Sequence, residues 1–111
     1  MLAAPAWAQD SLVPSGQPVE LFDVLVDEDG TTRWRFLAPE VRSLDSDAVL
    51  DDMQALCETF VLPSLDGEEE GERIIVSLMD IPVEFGKITP EARQHFEVYT
   101  LENGTCIWEM F

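Results

Sequence analysis

Phe96-Glu-Val-Tyr-Thr-Leu-Glu-Asn-Gly-Thr-Cys-Ile-Trp-Glu-Met-Phe111 reads as two β-runs joined by Asn103-Gly104. Asn-Gly favours a type I′ turn, in which both central residues take positive φ. A two-residue turn there sets Leu101 opposite Cys106 and Tyr99 opposite Trp108, on the face shared with Met110. Cys106 therefore points into an apolar face. The other face of the same ribbon carries Phe96, Val98, Ile107 and Phe111, and these need cover of their own.

The second cysteine lies in Leu44-Asp-Ser-Asp-Ala-Val-Leu-Asp-Asp-Met-Gln-Ala-Leu-Cys-Glu-Thr-Phe-Val61. Val49, Leu50, Met53, Leu56, Cys57, Phe60 and Val61 form one stripe at helical spacing, which no strand period fits. Asp45 or Ser46 can cap this helix, Asp47 suits its first turn, and Pro63 is expected to end it. Cys57 sits on the stripe that faces a sheet. A helix laid on the Cys106 face brings the two sulfurs together, provided the Cα atoms come within about 7 Å. The bridge would close a loop of about 50 residues, for roughly 4 kcal/mol in the chain-entropy model. Two separate buried thiols are the alternative.

Upstream, Val19–Val26 and Thr31–Ala38 flank Asp27-Glu-Asp-Gly30 and form another hairpin. A two-residue loop would set Asp23 opposite Phe36. A three-residue loop, Glu28-Asp29-Gly30 with Gly30 at positive φ, pairs Phe22 with Phe36, Val24 with Trp34 and Asp23 with Arg35. Aromatic and opposite-charge cross-strand pairs each favour it by roughly 0.2–1 kcal/mol. Between the helix and the last hairpin, Asp66–Glu72 reads as a solvated loop and Arg73–Asp80 as a central strand covered on both faces. Ile81–Gly86 is irregular, and Thr89-Pro-Glu91 predicts a short helix over 90–95. The expected fold class is α+β: an antiparallel sheet of about five strands, ββ-α-β-short α-ββ, with one main helix on one face and one disulfide.

The expected organisation is a signal-peptide remnant over 1–8, an extended leader over 9–18 and a single domain over 19–111, a length typical of one domain. Ala6-Trp7-Ala8 is the small-x-small pattern of a signal-peptidase site, although the charged start of a signal peptide is missing. Paired cysteines outside any Cys-x-x-Cys pattern agree with a periplasmic or secreted location. The formal charge is −17, with 23 acidic and six basic residues. That field argues against nucleic acid, which needs clustered Lys and Arg, and against anionic membrane surfaces. No apolar run is long enough for a membrane span.

Chemical motifs are sparse. His95 is the single histidine, and no Gly-x-Ser-x-Gly elbow accompanies Ser77, so neither makes a nucleophile–base pair on sequence grounds. Glu84, Glu97 and Glu109 could be imagined as paired acids, but an acidic surface yields such pairs by chance. Asp27–Gly30 and Asp66–Glu72 fail the EF-hand pattern, leaving weak divalent cation binding at most. Asn103-Gly-Thr105 matches an N-glycosylation pattern that the turn already explains. No catalytic, cofactor or metal residues are assigned.

Ile81-Pro-Val-Glu-Phe-Gly86, Thr89-Pro-Glu91 and Gly104-Thr-Cys-Ile-Trp-Glu-Met-Phe111 together resemble a family of small secreted proteins from marine alphaproteobacteria, a domain of unknown function. The likeness covers about residues 18–111. It implies export and a paired cysteine, and brings no activity or site residues. The reading that follows is an acidic exported binding or accessory protein. Phe96, Val98, Ile107 and Phe111 are its candidate surface for a protein partner or self-association. A small hydrolase-type enzyme with acidic catalytic residues, or an envelope structural or cation-buffering protein, are the alternatives.

Overall fold

β1, Glu20–Val26, and β2, Thr32–Leu37, form the first hairpin in the computed structural model, which describes residues 12–65 and 71–110. The loop is Glu28-Asp29-Gly30: Asp27 N–H donates to the Thr31 carbonyl at 2.8 Å, and Gly30 sits at φ 90°. Asp29 Oδ1 accepts from Thr31 N–H at 2.9 Å, which tightens the turn and holds the Asp29 carboxyl below its ordinary pKa. The expected pairs Asp23–Arg35 and Val24–Trp34 form. Phe22 does not pair with Phe36. A bulge between Leu21 and Asp23 hands that position to Leu21, so Phe22 reaches the face of Arg35 instead.

After a 3₁₀ turn at Val41–Ser43, α1 runs Ser46–Leu56, with Asp45 Oδ1 accepting from Ala48 N–H at 2.9 Å. The helix does not stop before Pro63. It continues through a π turn, Cys57–Val61, and a last α turn, Leu62–Ser64. Leu62 N–H bonds back to the Cys57 carbonyl, five residues earlier. The widened turn spares the Pro63 ring the carbonyl clash it would meet in a regular helix.

β3, Arg73–Met79, β4, Gln94–Glu102, and β5, Thr105–Glu109, complete one sheet in the order β1-β2-β3-β4-β5. The sheet is mixed rather than antiparallel, because β2 and β3 pair in parallel. The cause is the helix between them: a chain that crosses the sheet on a helix returns to the same end before the next strand starts. Nor does a short helix form over 90–95. Ala92 N–H closes a turn on the Thr89 carbonyl, and Gln94 and His95 enter the ladder opposite Met79 and Leu78. An isolated helical turn cannot compete with strand pairing, since nucleation fixes several dihedrals for one hydrogen bond.

The core lies between α1 and one sheet face. Val49, Met53, Leu56, Cys57 and Val61 pack on Trp34, Phe36, Ile74, Val76, Leu78, Tyr99 and Leu101. Phe60 meets Phe36 edge-on, ring centroids 5.3 Å apart. Cys57 and Cys106 are disulfide-bonded, Cα atoms 6.3 Å apart. Both sulfurs are inside this core, as the stripe and the turn register require. The bonded hairpin register is also as read: Leu101 faces Cys106, Tyr99 faces Trp108, and Asn103 and Gly104 both hold positive φ. β3 is buried on both faces from Ile74 to Met79.

The expected remnant over 1–8 lies outside the described residues, as do Phe111 and residues 66–70 of the acidic loop. The described part of the leader is docked, not free. Val13 enters the core, while Ser15 and Gln17 bind Asp52 on α1.

Candidate interaction surface

Strand alternation defines a second sheet face, away from α1. Its rows read directly from the register: Leu25, Arg33, Ile75, Val98 and Glu109 in one, Asp23, Arg35, Ser77 and Phe96 in the next. Arg73, Thr100 and Ile107 form a third. The face divides in two.

The half over β1 and β2 is covered by the loop between Asp80 and Ile88. Arg35, only 5% exposed, grips Asp23 with two parallel bonds of 2.8 and 2.7 Å and donates to the Val83 carbonyl at 2.9 Å. Phe85 lies under both guanidinium groups, at 5.2 Å from Arg33 and 5.6 Å from Arg35, and Phe22 closes the other side. Such stacking favours a planar cation where water is scarce, and Arg33 Nε is buried there without a hydrogen-bond partner among the described residues. The loop is pinned at its start by Asp80, which accepts from Arg93 N–H and from Arg42 Nε, each at 2.7 Å. Those donors hold the Asp80 carboxyl below its usual range. Arg42 also donates to the Glu91 carbonyl.

Among the described residues, nothing covers the half over β4 and β5. Phe96 is 62% exposed and Ile107 is 43% exposed, with Val98 partly buried between them. Phe111, the fourth residue of the expected surface, lies outside the described residues. Of the two covers expected from the sequence, 90–95 is not a helix, and the described part of the leader, from residue 12, packs on α1. Glu109 borders this half and accepts from Thr100 Oγ1 at 2.8 Å. Trp108 belongs to the helix side, where its Nε1 donates to Glu97 at 2.8 Å.

The sequence-derived chemical candidates are not assembled. His95 faces the α1 side opposite Leu78, while Ser77 faces the other side opposite Phe96. Burial and the nearby Arg93 lower the His95 pKa, against a smaller pull from Glu97. Glu97 and Glu109 likewise lie on opposite faces, and Glu84 is paired with Lys87 at 3.1 Å. Among the described residues, no group of three His, Cys, Asp or Glu side chains is placed to hold a metal ion. Asp27 and Asp29 act in the turn, Asp27 with Arg33 at 3.6 Å. A shallow depression of about 220 Å³ lies elsewhere, between Pro18, Val19, Glu20, Leu37 and Pro39, with one carboxylate in its lining. Among the described residues no helix is long and apolar enough to cross a membrane.

The chain matches DUF6497, a family of unknown function, over residues 1–111. It belongs to this family. The match spans residues 1–17 as well as the stretch from residue 18 that carried the resemblance. No curated protein and no solved structure matches it.

Two features escaped the sequence reading. Asp52 is fully buried on the apolar stripe of α1, between Val49 and Leu56, and accepts from Ser15 N–H, Ser15 Oγ and Gln17 Nε2 at 3.0, 2.6 and 2.8 Å. Its place on that stripe was the available signal, since a buried carboxylate must find donors. The covering loop was the other. Val83 and Phe85 are apolar residues in an otherwise irregular stretch, and that is the mark of a segment that folds back.

Proposed function

We propose that this family member is an exported accessory module that binds a protein through the open half of its second sheet face. The carrying observation is the exposure of Phe96 and Ile107 on one sheet face, with Val98 and Thr100 between them, while the other half of that face is covered. Large apolar side chains left exposed on one sheet face mark an interaction site. The disulfide is consistent with an oxidising compartment, where the small-x-small signal at Ala6–Ala8 would deliver the chain.

The test places a photo-crosslinking residue at Ile107 and, as control, at exposed Asp47 on the helix side. Illumination in the native envelope extract is expected to give a protein adduct from position 107 and not from position 47. Equal yields from the two positions would overturn the reading.

A further inference from the structure

We infer that the outer edge of β1 takes up an extended segment of another protein, apolar in its middle and carrying a lysine or arginine at each end. Asp27 N–H bonds inward to the Thr31 carbonyl, and β1 pairs with β2 antiparallel from Asp23 to Val26. Alternation along an antiparallel strand then turns the N–H and C=O groups of Val24 and Val26 outward. β1 ends the sheet, so among the described residues no strand meets them. The side chains there are apolar and open: Leu21, Phe22 and Val24 are exposed, and Val26 is 72% exposed. Such edges are usually blunted by lysine, proline, a bulge, or a covering helix or loop. Glu20–Val26 holds no lysine or proline, and its bulge lies at Leu21–Asp23, ahead of the regular Val24–Val26 stretch. The opposite edge differs. There Gln54 Nε2 of α1 donates to the Cys106 carbonyl at 2.8 Å, capping a group that β5 turns outward.

Charge selects the occupant. From Glu20 to Asp29 the chain carries Glu20, Asp23, Asp27, Glu28 and Asp29 and no cation of its own. Asp23 and Asp27 are paired with Arg35 and Arg33, and Asp29 serves the turn. Glu20 at one end of β1 and Glu28 just past the other form no salt bridge among the described residues. Glu20 also lines the shallow depression with Pro18, Val19, Leu37 and Pro39. A strand laid along β1 passes about 4.8 Å away. A basic side chain opposite Glu20 then rests its aliphatic stem on those apolar walls and its charge on the carboxylate. Main-chain bonds to Val24 and Val26 hold the segment, and its end side chains choose it, as in other strand additions. A second copy is not selected. Matching Val24 with Val26 across two β1 strands sets Asp23 against Asp27 and joins two chains of charge −17.

Hydrogen exchange of the full chain, followed amide by amide, reads the outcome. The probe is a synthetic peptide of alternating valine and threonine with a lysine at each end. In the free protein the Val24 and Val26 amides are expected to exchange quickly, while the Leu25 amide, bonded into β2, stays slow. Peptide at about 1 mM should slow Val24 and Val26 roughly tenfold, the effect of a complex with a Kd of about 0.1 mM. Val24→Pro removes one outward N–H without touching the ladder and should abolish the slowing. Protection of Leu25 shows that this variant keeps its sheet. Slow exchange at Val24 and Val26 in the free protein, from residues 1–11 of the same chain or a second copy seated on the edge, overturns the inference. So does the absence of slowing at about 1 mM peptide. Equal slowing by the same peptide ending in glutamates overturns it too, and this comparison decides alone if Val24→Pro fails to fold. The position-107 adduct tests a separate site, so failure here leaves the docking reading above standing.

Discussion

Ser15 Oγ lies 2.6 Å from Asp52 Oδ2, joining the chain ahead of β1 to the middle of α1 across 37 residues. The carboxylate is fully buried, and donors from one short segment satisfy it. Removing it leaves those donors facing a hole. Asp52→Ala is expected to lower stability by about 3 kcal/mol, as hydrogen bonds to charged groups contribute roughly 1.5–3 kcal/mol each and are not additive. Asp52→Asn keeps an acceptor and should cost less. Urea unfolding measures both, and hydrogen exchange at the Ser15 amide reports release of the segment.

The Cys57–Cys106 bond closes a loop of 49 residues' separation between α1's extension and the edge strand. Its loss in the double Ser variant is expected to cost about 4 kcal/mol by the chain-entropy relation. That is a large share of the roughly 5–15 kcal/mol that stabilises a domain. The urea midpoint should fall accordingly, and native alkylation without reductant should leave the intact mass unchanged.

Arg35 holds the covering loop through the Val83 carbonyl and stays neutralised by Asp23. Arg35→Met should destabilise by about 2–3 kcal/mol, less than the full penalty of breaking a buried pair because Asp23 is 32% exposed. The loop should lift as well, seen as faster exchange at Phe85 and Gly86. Arg35→Lys should recover little, since an ammonium cannot make the paired bonds to Asp23 and still reach Val83.

Tyr99, the chain's single tyrosine, is buried under α1, and burial raises its pKa above the ordinary 10.0, helped by the charges of Glu97 and Glu58. The unfolded chain therefore releases this proton first. The group leaves stability unchanged below pH 10 and lowers it progressively as pH rises beyond that. Phenolate absorbance should stay absent in the native protein past about pH 11 and appear only with unfolding. A native titration near pH 10 would contradict the burial.

Gly104 holds φ 74° in the turn that sets the Cys106 register, and a Cβ there would meet nothing within 4 Å. Gly104→Ala is thus a test of backbone strain alone. It should cost about 1–2 kcal/mol, the left-handed penalty for a residue with a Cβ, with the disulfide still formed. Thermal unfolding and intact mass decide it.

Much of this molecule was local enough to read from the chain. Asn103-Gly104 determined a hairpin register, and Glu28-Asp29-Gly30 determined another. The stripe from Val49 to Val61 determined the helix and the inward side of Cys57, so the disulfide followed. Each rests on a period of a few residues or on the φ a turn demands. Tertiary structure alone decided the parallel pairing of β2 with β3, because that depends on where a helix returns the chain rather than on either strand's pattern. It also decided that a bulge displaces Phe22, that Asp52 captures Ser15 and Gln17, and that Val83 and Phe85 cover the arginines but leave Phe96 and Ile107 open. Those outcomes depend on how segments far apart in sequence share space and satisfy buried polar groups, and no local pattern encodes that.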